Sequence, residues 1–188
     1  MNFAYADPPY YGQGAKWYGY PEWDGVGAHK DLVAYLCDFH GDGWAMSVSS
    51  PSLPTILPLC PAGVRVCAWV KTFCAFKPNV GFAYAWEPVV VFGGRKIKRS
   101  QPTVRDWLAE PITLKKGLTG AKPPRFCRWI FSMLNANSIE DTLFDLFPGT
   151  GIVGTEWTSW RNEGSPAEIG GNKRAPERLF RGACHPVG

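Results

Sequence analysis

Four consecutive residues near the start of the chain, Asp7-Pro8-Pro9-Tyr10, are suited to holding an amine attached to a flat ring. The short apolar segment 2–6 precedes them, so we expect the turn at the carboxyl end of a strand, where open α/β sheets bind ligands. Two successive prolines fix the backbone and remove two N–H donors. The Asp7 carboxylate and the Pro8 carbonyl can then each accept one amine hydrogen, while Tyr10 can stack on the ring. The alternative is an ordinary strand-ending turn, because Asp-Pro often begins turns.

A second candidate site lies at 144–151, which reads Phe-Asp-Leu-Phe-Pro-Gly-Thr-Gly. An apolar strand that ends in a glycine turn lets a ligand approach the backbone closely. The alternative is a plain strand-to-helix connection in which the glycines only make the bend. If the two motifs form one site, the strand tip with Asp7 and the bend after Phe147 must lie side by side.

The elements that position these motifs alternate between strand-like and helix-like segments, which predicts an α/β fold in a single domain spanning 1–188. The segment 164–188 is rich in Gly, Pro and Arg and is predicted to be a loosely structured tail. We expect strands at 2–6, 44–48, 64–71, 87–92 and 141–147, helices at 29–39 and 123–134, short helical pieces at 52–59, and a helix or loop from 151 toward 160.

Basic residues concentrate in one part of the chain. The stretch 94–128 has ten basic and two acidic residues and a net charge of +8, whereas the whole chain has +4. This asymmetry suits a polyanionic partner, because phosphate contacts supply much of nucleic-acid affinity. A solvated basic loop is the alternative. Within the surface segment predicted at 95–121, the candidate nucleic-acid-binding residues are Arg95, Lys96, Lys98, Arg99, Lys115 and Lys116.

The composition is that of a folded domain, with 188 residues of which 45% are hydrophobic and 19% charged. The six cysteines are scattered without the paired spacing of a zinc site, so we expect free thiols and no metal. The chain lacks an apolar run of about 18 residues and a signal-peptide pattern, so we expect no membrane association and a cytoplasmic location.

Asp-Pro-Pro-Tyr resembles the catalytic motif of the amino-methyltransferases that act on adenine N6 or cytosine N4, and 145–151 resembles their cofactor motif. The catalytic motif comes first, as in the circularly permuted beta class of DNA amino-methyltransferases. Lys122-Pro123 before a helix, and the strand-like segment 87–92, are also similar to that class. The resemblance covers roughly residues 2–163 and places 95–121 where a target-recognition insert usually lies.

The resemblance implies a Rossmann-like methyltransferase fold, with a mixed, mostly parallel sheet flanked by helices. It also implies S-adenosylmethionine (SAM) as cofactor and methyl transfer to adenine N6 of DNA, flipped out of the duplex or single-stranded, in a bacterial or phage-infected cell. The residues Asp7, Pro8, Pro9 and Tyr10 would be catalytic. The cofactor-binding residues would be Asp7, Lys122, Asp145, Phe147, Pro148, Gly149, Gly151, Asn162 and Glu163.

The segment 157–163 is similar to part of the messenger-RNA adenosine N6-methyltransferase family, although the catalytic motif of that family ends in Trp where this chain has Tyr10. This similarity implies that Asn162 and Glu163 hydrogen-bond the cofactor ribose. The alternative is an ordinary helix that Asn162 caps.

Three alternatives to adenine N6 in DNA remain open: cytosine N4 in DNA, adenine in RNA, and a catalytically silent nucleic-acid-binding subunit of the same fold. The stretch after the cofactor motif has little strand character, whereas DNA enzymes of this class usually continue through further strands. We therefore expect either a sheet reduced at its C-terminal side or one that a homodimer or a partner chain completes.

Overall fold

The computed structural model describes residues 1–73, 80–113 and 121–163. Within these ranges the chain forms six strands, five α-helices and three short 3₁₀ turns at 21–24, 50–52 and 57–59. The strands are β1 (Asn2–Ala6), β2 (Gly43–Ser47), β3 (Arg65–Val70), β4 (Trp86–Gly93), β5 (Trp107–Ala109) and β6 (Thr142–Asp145). The helices are α1 (Gly14–Tyr18), α2 (Val26–Phe39), α3 (Leu53–Ile56), α4 (Pro124–Met133) and α5 (Ile152–Glu163).

The strands form one sheet in the order β5-β3-β4-β2-β1-β6. β1 pairs in parallel with β2 and with β6, and β3 pairs in parallel with β5. Only β4 runs against its neighbours among the described strands, pairing antiparallel with β2 and β3. The sheet is therefore mixed and mostly parallel, as predicted.

Side chains of β1, an interior strand of the sheet, enter two separate cores. Phe3 and Tyr5 pack in a cluster with residues of α4 and α5, whereas Ala4 and Ala6 pack in a cluster with residues of α2. This division follows from the alternation of side chains along a strand. Because helices cover both faces, a strand in the middle of the sheet is apolar throughout.

Two helices illustrate why the sequence pattern predicts these elements. In α2 the residues Leu32, Val33 and Leu36 are buried, which is the spacing of one helical face. α4 begins at Pro124, where proline is favoured because the first helical N–H groups have no partner within the helix. Its buried residues include Phe126 and Ile130, on the same face.

The structure differs from the sequence predictions mainly at short elements. β6 ends at Asp145 rather than at 147, and α2 begins at Val26 rather than at 29. The helix α1 and the strand β5 were not predicted. β5 lies inside the basic segment 95–121 and joins the sheet edge through pairing of Trp107 with Ala68. Elements of three to five residues show no full period, so only their partners define them. The tail predicted at 164–188 lies outside the described residues.

Candidate active site

The two candidate motifs lie side by side at the carboxyl ends of neighbouring strands. In the parallel ladder between β1 and β6, Tyr5 is opposite Asp145, and the backbone N–H of Leu146 donates to the carbonyl of Tyr5 at 3.0 Å. The turn that begins at Asp7 and the bend that follows Phe147 therefore leave the sheet at the same end, the carboxyl end of β1 and β6. This confirms the adjacency that a single site requires.

The turn after β1 presents its polar groups from a buried base. Pro8 and Pro9 are buried, whereas Asp7 and Tyr10 are partly exposed. The carbonyl of Tyr10 accepts a hydrogen bond from the backbone N–H of Gln13 at 2.8 Å, which closes the turn before α1. The Asp7 side chain keeps 27% of its surface exposed, so a ligand at the sheet edge can reach it.

Lys122 is buried against this turn and makes three polar contacts there. Its Nζ lies 2.6 Å from Glu87 Oε1, 3.0 Å from Asp7 Oδ1 and 3.4 Å from the Tyr10 hydroxyl. An ammonium group has three N–H donors, and these three oxygens match that number. The other oxygen of Glu87 lies 3.1 Å from Lys71 Nζ. Lys122 thus connects α4's start, β4 and the turn after β1.

The four ionised groups of this cluster, Asp7, Glu87, Lys71 and Lys122, sum to zero charge, which is what a buried network requires. Burial raises the pKa of Asp7 above its usual value. Lys122 offsets part of this rise, and the nearby Glu87 adds to it by a smaller amount. Burial also acts on Glu87, but Lys122 and Lys71 outweigh it and lower the pKa of that carboxyl. For Lys122, Asp7 and Glu87 overcome the effect of burial and raise its pKa.

Asp145, at the end of β6, carries a carboxylate shielded from solvent. Neither of its oxygens accepts a hydrogen bond of good geometry from the described residues. Burial raises its pKa to about 7, with a further contribution from the charge of Asp7, although the backbone N–H of Phe147 offsets part of the rise. A buried carboxylate without a hydrogen-bond partner is costly, and a cation bound beside it would reduce that cost.

The bend after Phe147 is open to solvent. Pro148 and Gly149 are exposed, and Gly149 and Gly151 have φ angles of +44° and +74°. These are left-handed backbone conformations that glycine adopts without strain. A Cβ atom placed on Gly151 would meet no heavy atom within 4 Å. A ligand can therefore lie directly against this backbone, as the sequence predicts.

Asn162 and Glu163 lie at the other end of α5, about 16 Å along the helix axis from Ile152 at 1.5 Å per residue. Glu163 is exposed, and both of its oxygens accept hydrogen bonds from Arg128 at 2.6 Å. The structure therefore places these two residues away from the glycine bend.

The described basic residues of the 95–121 segment do not surround Asp7. Arg95 follows β4, whose carboxyl end lies beside the start of β2, at the end of the sheet opposite the Asp7 turn. Nη2 of Arg95 is 2.6 Å from the Asp141 carboxylate, just before β6. Lys96, Lys98 and Arg99 follow it and are exposed. Lys115 and Lys116 lie outside the described residues.

Sequence analysis missed Glu87 and Lys71 as members of the site. A signal for Glu87 was available, because it is the one charged residue in the apolar run 86–92 and alternates with Val89 and Val91, which face the same core. A carboxylate at such a position needs a buried cationic partner. Which lysine supplies it cannot be deduced from spacing.

Within the described ranges, no three His, Cys, Asp or Glu side chains are grouped so that they could hold a metal ion. No described helix combines the length and apolar character needed to cross a membrane.

Comparison with known proteins establishes the fold. No protein-family model matches the chain, and no curated protein matches it. Among solved structures, the chain is similar to M1.HpyAVI in complex with SAM, with 15% sequence identity and a TM-score of 0.56 over 86% of this chain and 78% of that chain. It is also similar to the structure of M1.HpyAVI, with 14% identity and a TM-score of 0.50 over 86% and 76% of the two chains. The predicted Rossmann-like methyltransferase fold is thereby confirmed.

Proposed function

We propose that this protein is a SAM-dependent DNA methyltransferase that transfers a methyl group to N6 of adenine. The observation that carries the proposal is the placement of the Asp7 turn beside the glycine bend after Phe147, at the carboxyl ends of β1 and β6. Similarity to the fold of the M1.HpyAVI–SAM complex supports it. The Asp-Pro-Pro-Tyr motif supports the choice of an exocyclic amine as acceptor.

The residues at this edge fit SAM. The unpartnered carboxylate of Asp145 suits the ammonium group of the cofactor's amino-acid portion. The open backbone at Gly149 and Gly151 admits close approach, with Phe147 and Pro148 beside it. SAM, when bound, supplies an electrophilic methyl group on its sulfonium.

The task of Asp7 and Pro8 is to orient the acceptor amine. Lys122 occupies Asp7 Oδ1, which leaves the second carboxylate oxygen for one amine hydrogen, and the Pro8 carbonyl accepts the other. With both hydrogens held, the nitrogen lone pair turns out of conjugation with the ring and toward the methyl group. Both hydrogen bonds strengthen as the nitrogen gains positive charge, so they stabilise the transition state more than the ground state.

Lys122 holds the Asp7 carboxylate in one orientation. Its other strong contact, to Glu87, anchors it to β4, so the charge facing the amine stays fixed. Orientation of this kind is a large part of the rate in a reaction that needs no covalent enzyme intermediate. The thiols agree with direct transfer. Removal from solvent raises the pKa of the buried Cys127 to about 12 and that of the partly buried Cys60 to about 11, so both are protonated at neutral pH.

A base in duplex DNA must leave the stack to reach Asp7, at a cost of a few kcal/mol. Tyr10 lies beside Asp7 and is partly exposed, and Tyr11, Trp17 and Tyr18 follow it with larger exposed fractions. Aromatic surfaces of this kind recover part of the lost stacking energy.

The decisive experiment incubates the purified chain with SAM and DNA and identifies the modified nucleoside by mass spectrometry. N6-methyladenine is the expected product. N4-methylcytosine, or methylation of RNA alone, would replace the proposed acceptor by one of the alternatives. Calorimetry with SAM completes the test, because a silent nucleic-acid-binding subunit would show neither binding nor transfer.

A further inference from the structure

His29 is a buried histidine that the proposed chemistry does not use. It lies in the first turn of α2 with 1% of its surface exposed. Its ring packs edge-on against Trp23, with centroids 5.1 Å apart, and against Tyr11 at 6.0 Å. Tyr11 directly follows the Asp-Pro-Pro-Tyr turn, so His29 contacts the segment that emerges from the candidate catalytic residues.

The contacts continue to the second motif. Trp23 packs edge-on against Phe147, with ring centroids 5.5 Å apart. Tyr11, His29, Trp23 and Phe147 therefore form a continuous row of rings from the catalytic turn to the cofactor bend. Edge-to-face contacts at these distances are favourable and have a defined geometry.

Polar contacts fix the imidazole within this row. Nδ1 of His29 lies 3.4 Å from the carbonyl of Gly25, and the ring also interacts with the backbone carbonyl of Pro9 in the catalytic turn. Burial lowers the pKa of His29, so the ring is neutral at pH 7 and its single N–H donates to only one of these two carbonyls at a time. It can act as a donor and as a packing surface, but it does not bring a charge to the site.

On the basis of the proposed function, we propose that His29 is a positioning residue for methyl transfer. It ties the backbone at Pro9 to the start of α2 and, through Trp23, to Phe147. It thereby sets the spacing between the turn that orients the acceptor amine and the bend that receives the cofactor. Since His29 is buried, we expect neither ligand to contact it, and its loss should lower kcat with little change in the binding of SAM.

Two variants separate the polar contact from the ring packing. His29→Phe keeps an aromatic ring between Trp23 and Tyr11 but removes the N–H donor, whereas His29→Gln keeps a donor of similar reach. We expect kcat of His29→Phe to fall at least about tenfold, because small displacements of reacting groups have large effects on rate. We expect kcat of His29→Gln to be close to the wild-type value. The KM for DNA and the Kd for SAM should stay near wild-type values in both variants.

A matched control is His40→Phe. His40 is also buried, with 4% exposed, but it follows the other end of α2, where it packs on Phe144 and Tyr35. The same chemical change there should leave kcat of the folded protein near the wild-type value. If His29→Phe overpacks and fails to fold, His29→Ala takes its place with the same expected loss of kcat.

A second readout tests positioning without activity. Hydrogen exchange of the backbone amides in 10–13 should be faster in His29→Phe than in wild type and should return in His29→Gln. Wild-type kcat and exchange in His29→Phe would overturn the positioning role, as would equal losses in kcat for His29→Phe and His40→Phe. If the wild-type chain transfers no methyl group, the proposed function fails, whereas the exchange measurement still decides whether His29 holds the turn.

Discussion

Lys122 Nζ lies 3.0 Å from Asp7 Oδ1, although the two residues are far apart in the chain. The Lys122 side chain is 5% exposed and that of Asp7 27%, so the contact joins a buried cation to a carboxylate that faces the sheet edge. The buried ammonium holds the carboxylate in one orientation, whereas solvent would leave it free to rotate. The same contact leaves one Asp7 oxygen available, which is the geometry that orienting an amine requires.

Replacing Asp7 by Asn should lower kcat by about 10²- to 10³-fold, the range found when a group that stabilises transition-state charge is removed. The amide is nearly the same size, so SAM binding should change little. Steady-state methylation and calorimetry give the two values. Asp31→Asn, on the exposed face of α2, is the matched control and should behave as wild type. Full activity in Asp7→Asn would remove the proposed role of the carboxylate.

Asp145→Asn should stabilise the fold while it weakens SAM binding. The pKa of Asp145 is raised from 3.8 to about 7 in the folded protein. Between pH 3.8 and about pH 7 the unfolded chain has released the Asp145 proton, whereas the folded chain retains it. The free energy of unfolding therefore falls as pH rises, and the whole cost of burying the ionised carboxylate is present above pH 7. The amide avoids this cost, and urea unfolding at pH 8 should show a gain of roughly 2–4 kcal/mol.

The same carboxylate makes SAM binding dependent on pH. The ionised form pairs with the cofactor ammonium, so the Kd should rise as pH falls below about 7, approaching a slope of about tenfold per pH unit. In Asp145→Asn this dependence should disappear, which separates Asp145 from other titrating groups. A flat profile for the wild-type chain would show that Asp145 does not contact the cofactor's charge.

Lys122→Met should destabilise the protein by about 3–5 kcal/mol, because it leaves buried carboxylates without their shared cation. Glu87 would keep its ion pair with Lys71, but Asp7 would lose its ion pair with the buried ammonium. Adding Glu87→Gln should restore part of the stability, because one uncompensated charge is then removed. Chemical denaturation measures the free energy of unfolding of both variants. Lys30→Met, on the exposed surface of α2, serves as the control.

Gly14→Ala should disturb the loop over the site. A Cβ atom at Gly14 would lie 2.3 Å from the carbonyl of Tyr20 and 2.6 Å from Cβ of Trp23, so the segment 14–23 would have to move. We expect a loss of about 1–3 kcal/mol, as for overpacking elsewhere, together with a lower kcat because Trp23 packs on Phe147.

The control for this change is Gly27→Ala, which lies in α2 with no atom within 4 Å of the added Cβ. Alanine is the better helix former by about 0.8–1 kcal/mol, so Gly27→Ala should be neutral or stabilising. Equal melting temperatures for the two variants would contradict the packing described around Gly14.

Local patterns in the sequence are enough to predict much of the fold. A few consecutive residues are enough to identify three of its features: the apolar run 2–6, the Asp-Pro-Pro turn and the glycine bend after Phe147. Strand alternation and helical spacing then predict β1, β2, β4, α2 and α4 close to their observed bounds. Short elements such as α1 and β5 carry too few residues for a period, so they escape detection.

What the tertiary structure alone decided is which charges meet. The sequence contains Lys71, Glu87 and Lys122 in three separate segments, and nothing in their spacing shows that β3, β4 and the start of α4 bring them to Asp7. Likewise, the antiparallel course of β4 carries Arg95, a predicted nucleic-acid-binding residue, to Asp141 at the end of the sheet opposite the Asp7 turn. Local conformation depends on neighbouring residues in the chain, whereas ion pairing depends on strand order and direction, which only the assembled sheet determines.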